Sequence, residues 1–504
     1  MGEERPHSDV LPISFATLAE RLRTEGLAAT VDPSAGAFTF TTHSSDDRVL
    51  DVDLFVAIRG TTYDAHDALD RVVATPIGGV IAETAPPLGS TVPWLQVDDS
   101  RRALAILHQM QAGDPGRALD LLGITGTNGK SSTVRILVEI LEAAGIPTGW
   151  WTTVDRFDGR SVSSSPMTTP GSAALAETLA SARDAGARAM VLEVSSHALD
   201  QGRIAGLPFR GAALTQISRD HLDYHGDFAS YRAAKLRLAD ARSSGAPWIL
   251  PATEEFFEGA AGLADPVLWH STERALDRPG GWVLTRDLTP EGIRATLRLL
   301  DDELEITSAL RGSHNLENIL VAALLARSVG VDPNAIATGI ANAQPVAGRL
   351  ERVPGGPGQV YVDYAHTPDA LSAMLGSVRP WVAGRLFVVF GCGGDRDRGK
   401  RPQMGAAAAR FADHLIVTSD NPRSEDPDRI IADVLAGLPP ESSVETESDR
   451  RAAIARALEQ IDRDDVLVVA GKGHEAEQVI GAEVKPFDDR RVIEALWAER
   501  GRDA

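Results

Sequence analysis

Gly123-Ile-Thr-Gly-Thr-Asn-Gly-Lys-Ser-Ser-Thr133 is the stretch that decides the fold of this 504-residue chain. Leu121, Leu122 and Ile124 read as the end of a buried strand, and Val134 to Leu141 as the helix that follows. Between them Gly126 and Gly129 let the backbone turn tightly, so that the N–H groups of the loop, Thr127 and Asn128 included, can face an anion. Lys130 adds a positive charge at the helix start, and Ser131, followed by Ser132, offers a hydroxyl to a magnesium ion. A strict P-loop has glycine at position 124, where this chain has Ile124, so the motif is the variant Thr-Gly-Thr-Asn-Gly-Lys-Ser. Glycines alone would make an ordinary strand-to-helix turn. Lys-Ser at the helix start turns the reading to nucleotide binding.

The chain is too long for one ordinary core, and three domains is the natural division. Fifty basic against seventy-one acidic residues give a net charge of −21, which argues against non-specific nucleic-acid binding. It leaves room for a small anionic ligand at a local positive site. The single cysteine, Cys392, excludes an intrachain disulfide and a cysteine-cluster zinc site. Met1 to Asp9 hold no apolar stretch after a basic one, and no run approaches the 18 or so apolar residues of a membrane span. A cytoplasmic protein without membrane insertion is expected.

Three blocks are expected, 1–113, 114–345 and 346–504. In the first, Asp53-Leu-Phe-Val-Ala-Ile58, Gly79-Val-Ile-Ala82 and Trp94-Leu-Gln-Val97 read as short strands, and Gly113-Asp-Pro-Gly116 as a linker. In the second, Ala189 to Val194 and Gly211 to Ile217 are continuous apolar runs, as strands buried on both faces should be. Residues 281–310 read as antiparallel strands beside that sheet, and Asn315 to Val329 as a helix rich in alanine and leucine. In the third, Gln359 to Asp363, Arg385 to Phe390, His414 to Thr418 and Asp465 to Ala470 read as parallel strands with helices between them. The expected class is α/β in three domains: a central, mostly parallel P-loop-type sheet, flanked by an N-terminal α/β domain and a C-terminal Rossmann-like one.

Chemistry gathers just after these strands, where ligands of open α/β sheets bind. Glu193 stands near a strand end, placed to hold a magnesium ion that Ser131 also touches; a solvated strand-end charge is the bland reading. Ser218-Arg-Asp-His-Leu-Asp-Tyr-His225 packs two histidines and two aspartates into one loop, while Lys235 alone reads as a helix-surface lysine. Gly391-Cys-Gly-Gly-Asp-Arg-Asp-Arg-Gly-Lys-Arg401 is cationic and suits carboxylates or phosphates. Asp363 to Pro368, Ser419 to Arg423 and Gly471 to Glu475 share its place after a strand, which argues for one cleft edge.

Together these motifs resemble the ATP-dependent Mur ligases of peptidoglycan synthesis, in order from about residue 43 to about 490, and most closely the branch that adds the third peptide residue. The resemblance implies a first domain that holds a UDP moiety, a central ATPase and a mobile third domain that brings an amino acid. It assigns ATP to Gly126, Thr127, Asn128, Gly129, Lys130, Ser131 and Ser132, with Asn315 and Asn318 beside the adenine, Arg349 on the γ-phosphate and Asp363 near the ribose. Magnesium falls to Ser131, Glu193 and His221, and Lys235 is implied to be an N6-carboxylysine, a carbamate that bridges metal ions. Lys130, Glu193, His221, Lys235 and Arg349 are thus the implied catalytic set. Thr168, Thr169, Ser195, Gln201 and Arg203 match contacts to a UDP-N-acetylmuramoyl-dipeptide, with Ser44 and Ser45 facing its uridine. Arg396, Asp420, Asn421, Arg423, Gly471 and Glu475 match the pocket for the incoming diamino acid.

The implied reaction adds that diamino acid to UDP-N-acetylmuramoyl-L-alanyl-D-glutamate through an acyl phosphate, in a monomer. The Asp-Asn-Pro-Arg loop points to meso-2,6-diaminopimelate, whose distal carboxylate an arginine would pair and which lysine lacks. Lysine or another diamine is the alternative, and a non-catalytic binding relative the alternative of a different class. Folate-polyglutamate ligases lack the UDP-binding first domain, against which Asp53 to Ile58 argues, and a Mur-like amidotransferase would carry a four-cysteine insertion. Against the family pattern stand Gly171 for an acidic residue, Gln216 for asparagine, Val52 for glycine and His314 for another aromatic.

Overall fold

The computed structural model describes residues 12–32, 35–60, 63–253, 256 and 266–503; the segment Met1 to Asp9 lies outside them. The first sheet holds β1 (Ala29–Val31), β2 (His43–Ser44), β3 (Leu54–Val56), β4 (Gly79–Ala82) and β5 (Trp94–Val97), in the order β1-β5-β4-β3-β2. Only β1 runs antiparallel. The three strands expected in this block all form, Asp53–Ile58 trimmed to Leu54–Val56. Asp53 itself accepts hydrogen bonds from the backbone of Thr41 and Thr42, at 2.8 and 3.0 Å, and so ties down the approach to Ser44. Helix α1 (Ser100–Gln111), capped by the Asp99 side chain, closes the unit.

The second sheet begins with β6 (Asp120–Thr125), whose residues beyond Asp120 are all buried. The phosphate-loop helix α2 (Lys130–Ala143) follows, then β7 (Thr148–Trp151), β8 (Asp155–Phe157), β9 (Val162–Ser164), α3 (Ser172–Asp184) and β10 (Ala189–Glu193). After β11 (Phe209–Leu214) and α4 (Phe228–Leu236) come β12 (Trp248–Pro251), β13 (Val267–Ser271), β14 (Gly280–Thr289), β15 (Gly292–Leu299) and β16 (Asp302–Ser308). The order is β9-β8-β7-β10-β6-β11-β12-β13-β14-β15-β16, parallel from β7 to β14 and antiparallel at both edges. The strands expected within 281–310 therefore continue the parallel sheet instead of lying beside it. Linking them are β12 and β13, which the sequence reading passed over. Beyond its polar first turn, helix α5 (Ser313–Ser328) is apolar on every face from Ile319 to Ala326 and sits in one core with α2, β15 and β16, as an all-round hydrophobic segment must.

The third sheet comprises β17 (Glu351–Val353), β18 (Gln359–Asp363), β19 (Leu386–Phe390), β20 (His414–Thr418), β21 (Val444–Glu447) and β22 (Val466–Ala470). Their order is β17-β18-β22-β19-β20-β21, parallel except at β17, with helices α6 (Pro368–Val378), α7 (Lys400–Ala409) and α8 (Arg450–Gln460) among the connections. Cores lie on both of its faces. A hairpin, Glu477–Ile480 with Glu483–Pro486, and helix α9 (Asp489–Asp503) complete the chain. The α/β class with a central, mostly parallel sheet is as expected. Among the described residues no helix is long and apolar enough to cross a membrane.

Candidate active site

Register builds the site first. Ile124 of β6 pairs across to Glu193 of β10 and to Ala213 of β11, so the strand stays in the sheet through Thr125. Only Gly126 to Gly129 are left to turn into α2. Both glycines have positive φ, 145° and 85°, and both are pressed by neighbours. A Cβ on Gly126 would stand 2.0 Å from Thr215 Oγ1, and one on Gly129 2.2 Å from Asn318 Oδ1. The loop is thus clamped between the end of β11 and α5, and no side chain fits there.

Glu193, buried at the end of β10, collects the donors of this loop. Ser131 Oγ donates to its Oε2 at 2.8 Å, and Thr153 donates its N–H to Oε2 and its hydroxyl to Oε1, both at 2.9 Å. Lys130 Nζ lies 3.7 Å from Oε1 and donates to Thr127 O at 2.9 Å. Burial pulls the Lys130 pKa below its ordinary range, while the Glu193 charge opposes that pull.

Lys235 is no surface lysine. It is 2% exposed on α4, its Nζ donates to Gly126 O at 2.6 Å and lies 4.6 Å from the Tyr231 ring centre. Burial, then the nearby Lys130 charge, hold its pKa well below the lysine range, which favours the neutral amine. His221 has a left-handed backbone, φ 52°, and its ring packs edge-on against His197 at 4.9 Å. Its Nε2 stands 3.4 Å from Asp220, and burial pushes its pKa down to about 4. Among the described residues no three His, Cys, Asp or Glu side chains converge as a metal site. Oxygen donors from Ser131 and Glu193 do meet.

A cavity of 260 Å³ opens beside the loop, lined by Asn128, Gly129, Ser131 and Ser132, by Thr215 and Gln216, by His314, Glu317 and Asn318 of α5, and by Arg349 and Asp363. Ala370, Ala373 and Met374 of α6 give it an apolar wall. Arg349 Nε and Asn128 Nδ2 are buried there without a hydrogen-bond partner, two donors with nothing to serve among the described residues. Asp363 accepts from Leu350 N and Ala365 N, both at 2.7 Å. It thereby holds Leu350 at φ 45° and aims its neighbour Arg349. One expected contact is displaced: Asn315 does not line the cavity. Its amide donates to Arg311 O at 2.8 Å and accepts from Asn318 at 3.1 Å, so it orients Asn318.

The expected dipeptide residues form a connected group. Thr169 Oγ1 donates to Glu193 O at 2.8 Å and accepts from Ser195 N at 2.9 Å; Arg203 donates to Thr169 O at 2.8 Å and to Gln201 Oε1 at 2.6 Å. Thr168 meets Thr153 hydroxyl to hydroxyl at 3.0 Å, and the Ser195 side chain caps the short helix Ser196–Asp200. Ser44 is held to Asp46 by two hydrogen bonds while Ser45 is exposed, and both follow His43. His43 in turn joins this strand to α1 and α3, through His43 Nε2 to His108 Nε2 and His108 Nδ1 to Ser172 Oγ, each 2.9 Å.

A second cavity, of 230 Å³, is lined by all of Arg396, Asp420, Asn421, Arg423, Gly471 and Glu475. Lys400, Asp220, Tyr364 and Cys392 complete much of its wall, so charges of both signs face one space. Arg423 sits at φ 51°, held by its N–H to Val479 O at 3.0 Å and by Gly481 N to its carbonyl at 2.7 Å. Its Nη1 donates to Gly394 O at 2.7 Å. Asn421 donates to Glu475 at 2.9 Å and accepts from Lys472 and Val479 N, which ties the two loops together. The Arg349 guanidinium, which lines the first cavity, lies 4.4 Å over the ring of Tyr364, which lines the second. Across the same seam Arg219 donates to Asp397 at 3.1 Å.

Sequence reading did not single out Thr153, Glu317 or Tyr364. Thr153 carries no motif at all. Glu317 stands three residues after His314 and one before Asn318, a helical spacing that puts all of them on one face. Burial raises its pKa to about 7.

Comparison with known proteins bears on the whole arrangement. Residues 124–326 match the Mur ligase middle domain and residues 348–473 the glutamate ligase domain of Mur ligases. The chain is 41% identical over 457 residues to the UDP-N-acetylmuramoyl-L-alanyl-D-glutamate--2,6-diaminopimelate ligase of Gloeobacter violaceus, covering 89% of this chain and 92% of that one. It is 39% identical to the ligase of the same name from Geobacillus kaustophilus, covering 90% and 94%. A solved structure of a 2,6-diaminopimelate ligase of that name superposes with a TM-score of 0.66 at 29% identity, over 97% of this chain and all, 100%, of that one. A MurF ligase from Thermotoga maritima, solved in complex with ADP, shares the fold at 18% identity and a TM-score of 0.61, over 92% and 98% of the two chains.

Proposed function

This chain belongs to the Mur ligase family, and we propose that it joins meso-2,6-diaminopimelate to UDP-N-acetylmuramoyl-L-alanyl-D-glutamate at the expense of ATP. The observation that carries the proposal is the pair of cavities whose linings meet at the contact of Arg349 with Tyr364. One presents phosphate-seeking donors, the unpartnered Arg349 Nε and Asn128 Nδ2, with Lys130 standing between the lining residues Gly129 and Ser131 in the chain. The other faces Arg396 and Arg423 against Asp420 and Glu475, a wall of both signs that suits a ligand bearing two carboxylates and two ammonium groups. The division into units 1–113, 114–345 and 346–504, and a cytoplasmic site of action, belong to the same proposal.

In this mechanism the side-chain carboxylate of the D-glutamyl residue attacks the γ-phosphorus of ATP, ADP leaves, and an acyl phosphate forms. Lys130 and Arg349 neutralise the charge that develops on the transferring phosphoryl group. The amine of the diamino acid then attacks the acyl carbon, loses a proton, and inorganic phosphate leaves. Thr168, Thr169, Ser195, Gln201 and Arg203 hold the dipeptide near Glu193, and the uridine lies toward Ser44 and Ser45. Arg423 takes the distal carboxylate.

Magnesium fits the residues present. Ser131 Oγ and Glu193 Oε2, 2.8 Å apart, are hard oxygen donors, the ligand type that magnesium takes. Bound there, it would neutralise the phosphate oxygens. His221 and a carbamate on Lys235 are the further ligands we propose. A buried lysine held as neutral amine can add carbon dioxide, and the carbamate would relieve the crowding of Lys235 against Lys130.

The test is product analysis with ATP, magnesium, the UDP-muramoyl-dipeptide and equal amounts of diaminopimelate, lysine, ornithine and diaminobutyrate. The diaminopimelate product should dominate. Preference for an amine without the second carboxylate refutes the role of Arg423, and absence of dipeptide-dependent phosphate release refutes catalysis.

A further inference from the structure

Arg450 opens α8 and does not line the diamino-acid cavity, yet it is among the most deeply buried charges of the described residues. Its Nε and Nη2 donate to both oxygens of Asp489, at 2.8 and 2.7 Å, and neither side chain of the pair is exposed. Nη2 also donates to Ala470 O at 3.0 Å and Nη1 to Ser419 O at 3.3 Å. Ala470 ends β22, and Ser419 is the residue just past β20. These strands are not neighbours, for β19 runs between them. Each of the two carbonyls is therefore the last fixed point before a loop of the cavity, Asp420 to Arg423 on one side and Gly471 to Glu475 on the other.

A buried ion pair is seldom more stabilising than apolar groups of the same size, so its retention calls for another reason. We propose that the Arg450–Asp489 pair is the positioning device of the diamino-acid pocket. It fixes the span between the loops of Arg423 and Glu475 and so sets the selectivity for a ligand with a charged group at each end. The inference rests on the reading of this cavity as the diamino-acid site. Only the planar guanidinium can serve a carboxylate bidentately and two carbonyls at once, because its five N–H donors lie in one fixed fork.

Charge adds to geometry. Asp420 lines the cavity and is buried, which raises its pKa. It is faced by the cations Arg450 and Lys472, by the carboxylates of Glu475 and Asp489, and by Tyr364 and Cys392. Arg450 lowers the Asp420 pKa more than Asp489 raises it, so taking both away should make the hold of Asp420 on an ammonium group fail at higher pH than in the wild type.

The test compares the wild type, Arg450→Lys, and the double variant Arg450→Met with Asp489→Leu, which replaces the pair by apolar groups. Thermal midpoints are recorded, along with KM for each substrate, the ratio of kcat/KM for diaminopimelate over lysine, and the pH dependence of KM. The double variant should fold and keep its KM for ATP and the UDP-muramoyl-dipeptide within about twofold. Its KM for diaminopimelate should rise roughly ten- to a hundredfold, the cost of a displaced binding group, and the ratio should fall with it. The acid-side rise of that KM should begin at higher pH. Arg450→Lys keeps charge and volume and decides the matter if the double variant does not fold, with a smaller rise in the same single KM. A folded variant with wild-type KM, ratio and pH profile overturns the inference. A wild type that shows no preference for diaminopimelate fails the reading of the cavity instead, so the two failures are distinct.

Discussion

Replacing Thr153 with valine removes one hydroxyl from the site and almost no volume. That hydroxyl donates to Glu193 Oε1 at 2.9 Å and meets Thr168 at 3.0 Å, while the Thr153 N–H, which the substitution spares, continues to serve Oε2 at 2.9 Å. A hydrogen bond to a charged acceptor contributes about 1.5–3 kcal/mol, which at about 1.4 kcal/mol per decade is roughly a 10- to 150-fold factor. Groups that orient a metal-binding carboxylate typically account for about 10- to 100-fold in metal affinity, so the two routes agree. The magnesium concentration for half-maximal phosphate release should therefore rise by roughly 10- to 100-fold, while the thermal midpoint falls by a few degrees at most, the cost of one hydrogen bond to a buried carboxylate. Magnesium titration at saturating ATP and UDP-muramoyl-dipeptide reads this directly. Thr168→Val is the control, since it cuts only the hydroxyl-to-hydroxyl contact. It should raise KM for the UDP-muramoyl-dipeptide and leave the magnesium curve in place. If Thr153→Val matches the wild type in its magnesium curve while folded, the carboxylate is not held as argued.

Lys235→Ala should lose most activity and regain part of it when short carboxylic acids are added, because a free carboxylate can stand in for the carbamate; no rescue across a series of acids counts against the modification. Arg423→Ala should lower the kcat/KM ratio of diaminopimelate over lysine by roughly ten- to a hundredfold, the worth of a charge-assisted hydrogen bond, as read in competition. An unchanged ratio would place the distal carboxylate elsewhere. Burial, with the His43 charge beside it, pushes the His108 pKa down to about 3 from its ordinary 6.5. Its folded pKa is depressed, so the unfolded chain takes up the proton first as pH falls. The stability it contributes is whole above about pH 6.5 and declines from there toward pH 3. Thermal midpoints against pH should fall less steeply in His108→Gln than in the wild type, and parallel curves would remove His108 from the account.

What the sequence could disclose was local. Apolar runs such as Ala189 to Val194 announce strands because a strand buried on both faces has no polar alternation to keep. The phosphate loop announces itself because its glycines, lysine and serine are consecutive. The motif loops of the third block share a position after strands, and the structure does bring Arg396, Asp420, Asn421, Arg423, Gly471 and Glu475 around one space. Hidden were the contacts that join distant segments. Lys235 on its helix has nothing nearby in sequence to tell that it ends at Gly126 O, 109 residues away. Asn315 and Asn318 look alike in the motif, yet only Asn318 lines the cavity, since the helix turns Asn315 toward Arg311. Thr153 and Arg450 were invisible for the same reason: their work is done on Glu193 and on two strand-end carbonyls, none of them adjacent in the chain.

The most telling of these long-range facts concerns Ile124. In sequence it is a missing glycine, a departure from the strict phosphate-loop pattern. In the sheet it is a fully buried strand residue, registered opposite Glu193 on one side and Ala213 on the other. Because the strand does not break there, the turn is compressed into Gly126 to Gly129, and α2 starts at Lys130. That compression is what brings Ser131 to within 2.8 Å of Glu193, since the carboxylate hangs from the very position that pairs with Ile124. It also forces Gly126 and Gly129 against Thr215 and Asn318, whose side chains leave no space for a Cβ. The isoleucine thus belongs to the strand register by which this loop and the Glu193 carboxylate meet.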